Sequence, residues 1–553
     1  MAIVITSEQT IPIDKPFKVS AGPGAGKTHW LISHIRNVVA HSRKLDVVKK
    51  VACITYTNVG TDTIVSRLDM GNDVVEVNTI HSFLYANVVK PYIHLVADEI
   101  GLMQGELVVI DDSNFKTEGI AVSLLKRMNK QWFNAKIYLK GLEGSYWHYE
   151  NHRYTDYKPK HPQQYNTRNG RRSIGNAWYM EFKKWLWGGG YISFEDILYL
   201  SYLLLNRYPN IYHLIKARYP YVFVDEFQDT VPFVMDLLSR LGNEGTIIGV
   251  VGDKAQSIYD FLGATVLQFN GFSVPRMQDY EIRGNRRSTK QIIDLLNVIR
   301  TDFSQDWLNG TEGMVPVLMV GDMLDCYQKS IVASGTDDIQ SLAYPNILAN
   351  SMRRKNGARD VEKILETDFD REPGRQLVVK TLLKAVEFAR MNDLRNAWHH
   401  LDIIERDRSK SIVMLRRLLD GYSKYKDGSL MGFYNFVISE LQIKLQGFKA
   451  GSSKSFYETH SYGDAALGVK GGDSDDKHKT IHKSKGDEFE NVYVILKDES
   501  DLDFMLTPNL YAVNSHRVYY VAVSRAKCRL FINVPSLSAA NREKLKNIPI
   551  SVF

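Results

Sequence analysis

Cysteine is nearly absent. The 553-residue chain carries three, Cys53, Cys326 and Cys528, too far apart for the paired spacings that hold zinc or an iron–sulfur cluster and in keeping with a reducing compartment. No apolar run is long enough to cross a bilayer. The opening residues, Met1-Ala2-Ile3-Val4-Ile5, lack the basic segment and extended apolar core of a secretory signal. Internal repeats and long low-complexity tracts are missing as well. These absences predict a soluble, intracellular, cytoplasmic protein with no membrane partner. A hydrophobic share of 44% supports folded cores and excludes a disordered chain. The length predicts about three or four domains. A formal net charge of +7 leans mildly toward polyanionic partners.

The most informative run is Ser20-Ala21-Gly22-Pro23-Gly24-Ala25-Gly26-Lys27-Thr28. It follows the apolar positions Phe17 and Val19 and opens a helical stretch near His29. A phosphate-binding loop needs this strand–loop–helix context, because backbone N–H groups and the helix N-terminus converge on phosphate oxygens. Lys27 is placed to reach the β- and γ-phosphates and Thr28 to hold Mg²⁺. The first slot of the pattern, ordinarily Gly, is Ala21.

Strands alternate with helices from the start, which predicts a parallel sheet in an α/β fold. Val51 to Tyr56 and Val74 to Val77 read as strands. The apolar strand Tyr221-Val222-Phe223-Val224 ends in Asp225-Glu226, followed by Phe227-Gln228-Asp229-Thr230. Strand alternation sends adjacent acids in different directions, so Asp225 is assigned to Mg²⁺ and Glu226 to orienting the attacking water. The strand from Ile247 to Val251 leads into Gly252-Asp253-Lys254-Ala255-Gln256-Ser257-Ile258-Tyr259-Asp260-Phe261. There Gln256 can sense a γ-phosphate, and Tyr259 and Phe261 can stack on bases or pack in a core. A second α/β unit begins near residue 275 and is interrupted. Residues from about 355 to 448 carry helical spacing at Val379, Leu382, Leu383, Val386 and Ala389. The polar, Gly-rich segment from Gly451 to Ser474 reads as a mobile loop.

Taken in order from residue 9 to residue 534, these blocks resemble the superfamily 1A DNA helicases of the UvrD/Rep/PcrA type. The resemblance implies two RecA-like P-loop domains with inserted, mostly helical subdomains. The first, 1A, takes residues 1–88 and 190–272, interrupted by 1B at 89–189. The second, 2A, takes 273–351 and 473–553, interrupted by a short 2B at 352–472. It implies that Gln9 reads adenine and that Ala21 to Thr28 cradle the triphosphate of ATP. Gln256 couples the γ-phosphate to DNA, and Phe261 stacks on a base beside Tyr259. Asn285-Arg286-Arg287-Ser288 makes Arg287 the first arginine finger. Tyr520-Val521-Ala522-Val523-Ser524-Arg525-Ala526-Lys527 makes Arg525 the second. In Ile481-His482-Lys483-Ser484-Lys485-Gly486-Asp487-Glu488-Phe489, Glu488 binds the ribose and His482 meets DNA. Tyr56 to Asn58 and the block around His81 resemble contacts to single-stranded DNA. The chain departs from the family at Val59-Gly60-Thr61, at Leu262 and at Ser515-His516-Arg517, departures that bear on DNA grip and coupling rather than on hydrolysis.

The tract from Tyr149 to Tyr191 mixes cations (Arg153, Lys158, Lys160, Arg168, Arg171, Arg172, Lys183, Lys184) with aromatics (Tyr154, Tyr157, Tyr165, Trp178, Tyr179, Trp185, Trp187). Two accounts fit it equally: a surface for single-stranded nucleic acid, with charges on phosphates and rings on bases, or a solvated basic face over an aromatic core. Trp185 and Trp187 belong to the core in either case. Arg353, Arg354, Lys355 and Arg359 read as a solvated helix face. The expected activity is ATP-dependent, Mg²⁺-requiring translocation on single-stranded DNA or DNA with single-stranded tails, with 3′→5′ unwinding taken from the family. Two settings are expected, DNA repair or anti-phage defence. The short 2B resembles the helicase subunit of Gabija-type systems, whose partner is a nuclease of the overcoming-lysogenization-defect type. The alternative is a DNA-sensing ATPase that switches such a nuclease with little unwinding of its own. No acidic cluster with a spaced Gln-x-Lys marks a nuclease in the chain itself.

Overall fold

The computed structural model describes residues 2–553 except 69–73, 104, 168–169, 259–265, 355–363, 368, 406 and 470–476. The chain divides into two compact units, Met1–Arg286 and Arg287–Phe553.

The first unit is built on a seven-stranded sheet in the order Ile3–Ile5, Gln278–Ile282, Phe17–Ala21, Ile247–Gly252, Tyr221–Val224, Val51–Thr55, Val75–Thr79. Every pairing in it is parallel. Parallel strands need crossovers that cover both faces, so their sequences are apolar throughout rather than alternating. Side chains from single strands accordingly split between two cores. Phe17, Val19, Val51, Cys53, Tyr221 and Phe223 pack with the helix Lys27–His41 on one face. Ala52, Ile54, Val222, Val224, Ile248 and Val250 pack on the other face.

The first insert joins that second face in one continuous core that includes Tyr138, Trp147, Tyr157, Tyr179 and Leu186. It is less helical than expected. Two antiparallel hairpins, Ser145–Glu150 with Arg153–Pro159 and Gln164–Thr167 with Gly170–Ser173, lie among its helices. Asn151 and His152 turn the first hairpin with φ of 50° and 62°, the left-handed pair that a tight two-residue turn requires. The expected boundary at residue 273 also moves. The strand Gln278–Ile282 pairs with Phe17–Ala21 and buries Tyr280 and Ile282 in the first unit. A pairing between segments some 260 residues apart leaves no local mark that separates it from the strands that follow.

The second unit has a six-stranded parallel sheet in the order His478–Thr480, Gln340–Ala343, Phe489–Ile495, Ala526–Val534, Val317–Val320, Ser551–Val552. Its insert keeps a separate core around Val379, Leu382, Val386, Phe433 and Tyr462. Asn350 ties the two by donating to the carbonyls of Leu467 and Val469 at 2.7 and 2.9 Å. The segment expected as a mobile loop from Gly451 contains two helices, Ser452–Thr459 and Tyr462–Leu467. Tyr457 and Tyr462 are fully buried, and the Ser461 hydroxyl caps the second helix at Asp464 N, 2.9 Å. Two aromatic anchors outweigh a polar, Gly-rich composition. Lys355, Arg359 and the run Gly471–Ser474 lie outside the described residues. Among the described residues no helix is long and apolar enough to cross a membrane.

His34 sits in the first core, 3% exposed, between the rings of Trp30 and Phe17 at 5.3 and 4.8 Å. Neither of its nitrogens has a hydrogen-bond partner. Burial pushes its pKa down from 6.5 to about 4, so the folded chain refuses a proton that the unfolded chain accepts. Its contribution is complete above pH 6.5 and is lost as pH falls toward 4. Lowering the pH from 6.5 to 5 is expected to cost about 2 kcal/mol at this residue. Urea unfolding across that range checks it: the midpoint of the native chain falls, and that of His34→Phe stays nearly level.

Candidate active site

Three adjacent parallel strands end at one edge of the first sheet: Phe17–Ala21, Ile247–Gly252 and Tyr221–Val224. The phosphate-loop candidate leaves the first of them. Ala21 still belongs to the strand, paired with Ile282 and buried, so this slot has no need of glycine's freedom. Gly26 does need it: φ is 79°, and a Cβ there would stand 3.3 Å from the Cβ of Ser7. The helix Lys27–His41 follows with no side-chain cap, leaving its first N–H groups directed at the loop. The Lys27 ammonium donates to the carbonyls of Gly22 and Ala21 at 3.1 and 3.4 Å.

Asp225 is 4% exposed. Its backbone N–H donates to Ile54 O at 2.8 Å, and its carboxylate accepts from the Thr28 hydroxyl at 3.0 Å. Burial, and then the adjacent Glu226 charge, push its pKa up to about 7. A buried carboxylate held above the usual range beside a hydroxyl is stabilised by a cation. The pair therefore fits Mg²⁺, which takes few protein ligands and keeps phosphate oxygens and waters. Among the described residues no cluster of three or more His, Cys, Asp or Glu forms a closed metal cage. Glu226 diverges from Asp225 because the strand has ended: its φ of 51° is left-handed, a conformation that costs energy and gathers at functional sites. The two acids part through a backbone turn, not through the strand alternation expected from the sequence.

Gln228, fully buried, was not singled out by the sequence. It donates to the Glu226 carboxylate at 2.5 Å and accepts from Asp253 N at 2.9 Å. Asp253 in turn accepts from Gln256 Nε2 at 2.8 Å. Glu226 and Gln256 are thus ends of one hydrogen-bonded chain running through Gln228. Gln9 is fastened to the loop's helix, its carbonyl accepting from Trp30 Nε1 at 2.9 Å. Arg286, adjacent to the expected finger, belongs to this unit. Its N–H donates to Gly24 O at 2.9 Å and its guanidinium donates to the Ser7 hydroxyl at 2.5 Å.

A cavity of about 940 Å³ lies within the first unit. Asp225 and Glu226 line it at one side, and Tyr56 and His81 line it as well. The His81 ring packs edge-on against exposed Phe194 at 5.8 Å, and burial lowers its pKa. Asn58 begins the helix Asn58–Leu68 and is exposed, outside this lining. The departure at Gly60 has a local cause, since a Cβ there would meet Thr55 Oγ1 at 2.6 Å. Tyr259, Phe261 and Leu262 lie outside the described residues.

The first insert decides much of the aromatic tract for the core. Lys183 is fully buried, paired with Asp112 and Asp196 at 2.8 and 2.9 Å. Asp196 also accepts from the indoles of Trp147 and Trp187 at 2.8 and 3.3 Å. Tyr157 and Tyr179 are buried alongside, while Arg153, Lys160, Arg171, Arg172 and Lys184 are exposed. Arg168 lies outside the described residues.

In the second unit three blocks converge. Arg287 Nε lies 2.6 Å from the Glu488 carboxylate, and Nη1 donates to Ser524 O at 3.1 Å. Glu488 also pairs with Lys527 at 3.6 Å, and the Arg287 charge helps hold its pKa below the usual value against burial. Arg525 is 2% exposed, donating to Val521 O and Asp487 O at 3.1 and 3.2 Å. His482 is half-buried with its ring 5.6 Å from that of Tyr344. Arg517, in the departing lead-in, is a structural donor to Leu510 O at 3.0 Å.

Comparison with known proteins identifies the family. The family model described as the UvrD/REP helicase N-terminal domain matches residues 5–275. The one described as the UvrD-like helicase C-terminal domain matches residues 477–536. Gabija protein GajB of Bacillus cereus (strain HuB5-5) is 26% identical over 328 residues, covering 51% of this chain and 46% of the relative. ATP-dependent DNA helicase PcrA of Staphylococcus epidermidis (strain ATCC 35984) is 24% identical over 300 residues, covering 53% and 39%. ATP-dependent DNA helicase UvrD1 of Mycobacterium tuberculosis (strain H37Rv) is 27% identical over 258 residues, covering 44% and 32%. The chain spans less than half the length of these curated relatives.

Removing the Gln228 amide leaves buried groups around Asp253 and Glu226 short of a partner. Gln228→Ala is expected to lower unfolding stability by about 1–3 kcal/mol. Denaturant melting measures this, and an unchanged midpoint would show that the bridge holds nothing in place.

Proposed function

Because the chain belongs to the UvrD-like helicase family, we propose that it is an ATP-dependent motor that moves along single-stranded DNA in the 3′→5′ direction and opens duplexes bearing single-stranded tails. One observation carries this reading: a single cavity reaches from the Asp225–Glu226 strand end to Tyr56 and His81. A strand seated on the aromatic side would therefore touch the walls that hold the acids.

In this reading residues 21–28 cradle the triphosphate and Gln9 meets the adenine. Mg²⁺, held by Thr28 and Asp225, supplies neutralisation of phosphoryl charge. Glu226 orients the attacking water from its left-handed turn. Gln256, through Asp253 and Gln228, reports on the same acid. Arg287 and Arg525 are the cations that complete the charge on the transferring group, and Glu488, now paired with Arg287, exchanges that partner for the ribose. Tyr56, Asn58, His81, Tyr259, Phe261 and His482 contact DNA. The four-part division into 1A, 1B, 2A and 2B is retained, with the first unit carried through to Arg286.

The similarity to Gabija protein GajB supports a second reading, in which the chain is a DNA-sensing ATPase that regulates a partner nuclease of the overcoming-lysogenization-defect type and unwinds little. Defence or repair is the biological setting that this choice decides.

Lys27→Ala is expected to reduce DNA-stimulated ATP hydrolysis by about 100-fold or more, since it removes a fixed cation from the developing charge. Affinity for an oligo-dT strand is expected to stay within a few-fold; equal loss of both would overturn the assigned roles. Strand displacement on 3′-tailed, 5′-tailed and blunt duplexes then separates the two readings. The motor opens the 3′-tailed substrate alone. A regulator hydrolyses ATP on single strands, opens none of the three, and alters cleavage when the nuclease is added.

A further inference from the structure

The strand that feeds the phosphate loop carries one buried cation. Phe17 and Val19 turn to one face of the first sheet, so Lys18 between them turns to the other, flanked by Val250 and Asp279 of the neighbouring strands. Lys18 is 9% exposed. A buried ammonium has to be matched by acceptors, and this one meets three. Its Nζ donates to Phe272 O at 3.1 Å and to Asn270 O at 3.2 Å, and the Asp279 carboxylate lies 3.6 Å away. Asn270 lies in the last turn of the short helix Val266–Gly271 and Phe272 just after it, where a lysine suits the open carbonyls of a helix end. A parallel strand packs best with apolar residues. What the lysine adds is a directed tie between the phosphate-loop strand and that helix.

The helix stands next to the hydrogen-bonded chain that joins Glu226 to Gln256. Phe269 and Phe272 pack against the Phe227 ring at 5.7 and 4.8 Å. A Cβ at Gly252 would overlap the Gln228 amide oxygen and stand 2.9 Å from Phe269 Cε2, so helix and bridge meet across a glycine. The chain from Ser257 to Phe272 is thus tied at both ends. At its start the Ser257 hydroxyl donates to Gln228 O at 3.2 Å, beside the Gln256–Asp253 hydrogen bond. At its finish Lys18 grips the two carbonyls. Tyr259 and Phe261 fall between the two ties in sequence. A shift of Gln256 at the near tie passes to the residues between only while the far tie holds, because coupling is carried by contiguous packed and hydrogen-bonded groups.

We propose that Lys18 is a positioning residue for the coupling of ATP hydrolysis to DNA: by fastening the end of the helix Val266–Gly271 to the phosphate-loop strand, it fixes the far end of the segment that joins Gln256 to the Tyr259–Phe261 block. The inference rests on the proposed DNA-dependent hydrolysis of ATP. It adds a residue that has no place in the nucleotide or DNA contact set and whose loss uncouples the two.

ATP hydrolysis with and without saturating oligo-dT tests it, for the native chain, Lys18→Met and Lys18→Arg, each also followed by urea unfolding. Lys18→Met is expected to keep its hydrolysis without DNA within about twofold of the native rate and to lose about tenfold of the DNA stimulation. Lys18→Arg, which still donates to both carbonyls, restores the stimulation. The proposal is overturned if Lys18→Met is stimulated as the native chain is. It is equally overturned if hydrolysis without DNA falls by the same factor as hydrolysis with it. An unfolding midpoint so low that Lys18→Met is not folded under assay conditions also overturns it, because the lysine then holds the fold and not the coupling. A native chain whose hydrolysis oligo-dT does not raise would instead remove the DNA-dependent reading itself, a result distinct from these.

Discussion

Parallel pairing of the strand Ile247–Gly252 with Phe17–Ala21 on one side and Tyr221–Val224 on the other is the constraint from which the site follows. Parallel strands end at the same edge of a sheet, and in open α/β sheets that edge is where ligands bind. Three peptide segments scattered over some 240 residues are thereby delivered to one place. Each brings a different chemistry: a cationic turn, a pair of acids and an amide. The Thr28–Asp225 hydrogen bond, 3.0 Å, shows how close the first two come. No side-chain interaction creates this arrangement. The side chains exploit a position that backbone pairing and two buried faces have already set.

The inserts use their residues in two different ways. The insert of the first unit merges its core with a sheet face, so the walls it contributes to the cavity are packed on the sheet itself. Its buried Lys183 is matched by Asp112 and Asp196, an arrangement in which breaking one partner would leave an uncompensated charge. The insert of the second unit keeps its own core and is joined to its sheet through directed hydrogen bonds such as those of Asn350. A shared core suits a wall of a binding cavity. A separate core suits a module whose packing is independent of the sheet it interrupts.

Much of the candidate site was legible in the chain because its parts are local. A Gly-rich turn, a strand ending in two acids and the Gln256 block are recognisable in short windows, and each sits at a strand end as expected. The departures were legible as departures but not as to cause: Gly60 answers to the Thr55 hydroxyl, and Arg517 to carbonyls of its own loop. Gln228 escaped notice although it lies inside a quoted block, because its role is a bridge to Asp253, twenty-five residues on.

The sequence by itself determined the fold class, the family resemblance and which residues form the Gly-rich turn and the paired acids of the candidate site, since each is a property of contiguous residues with a fixed period or turn. Tertiary structure alone decided that Gln278–Ile282 belongs to the first sheet, that the Gly451 segment is helical, that Lys183 and Tyr157 are core, and that Arg286 and Arg287 fall in different units. In each of these the outcome rests on a partner far away in the chain. Burial and strand pairing are energies of contact, and a one-dimensional pattern carries no record of which distant segment will supply the contact.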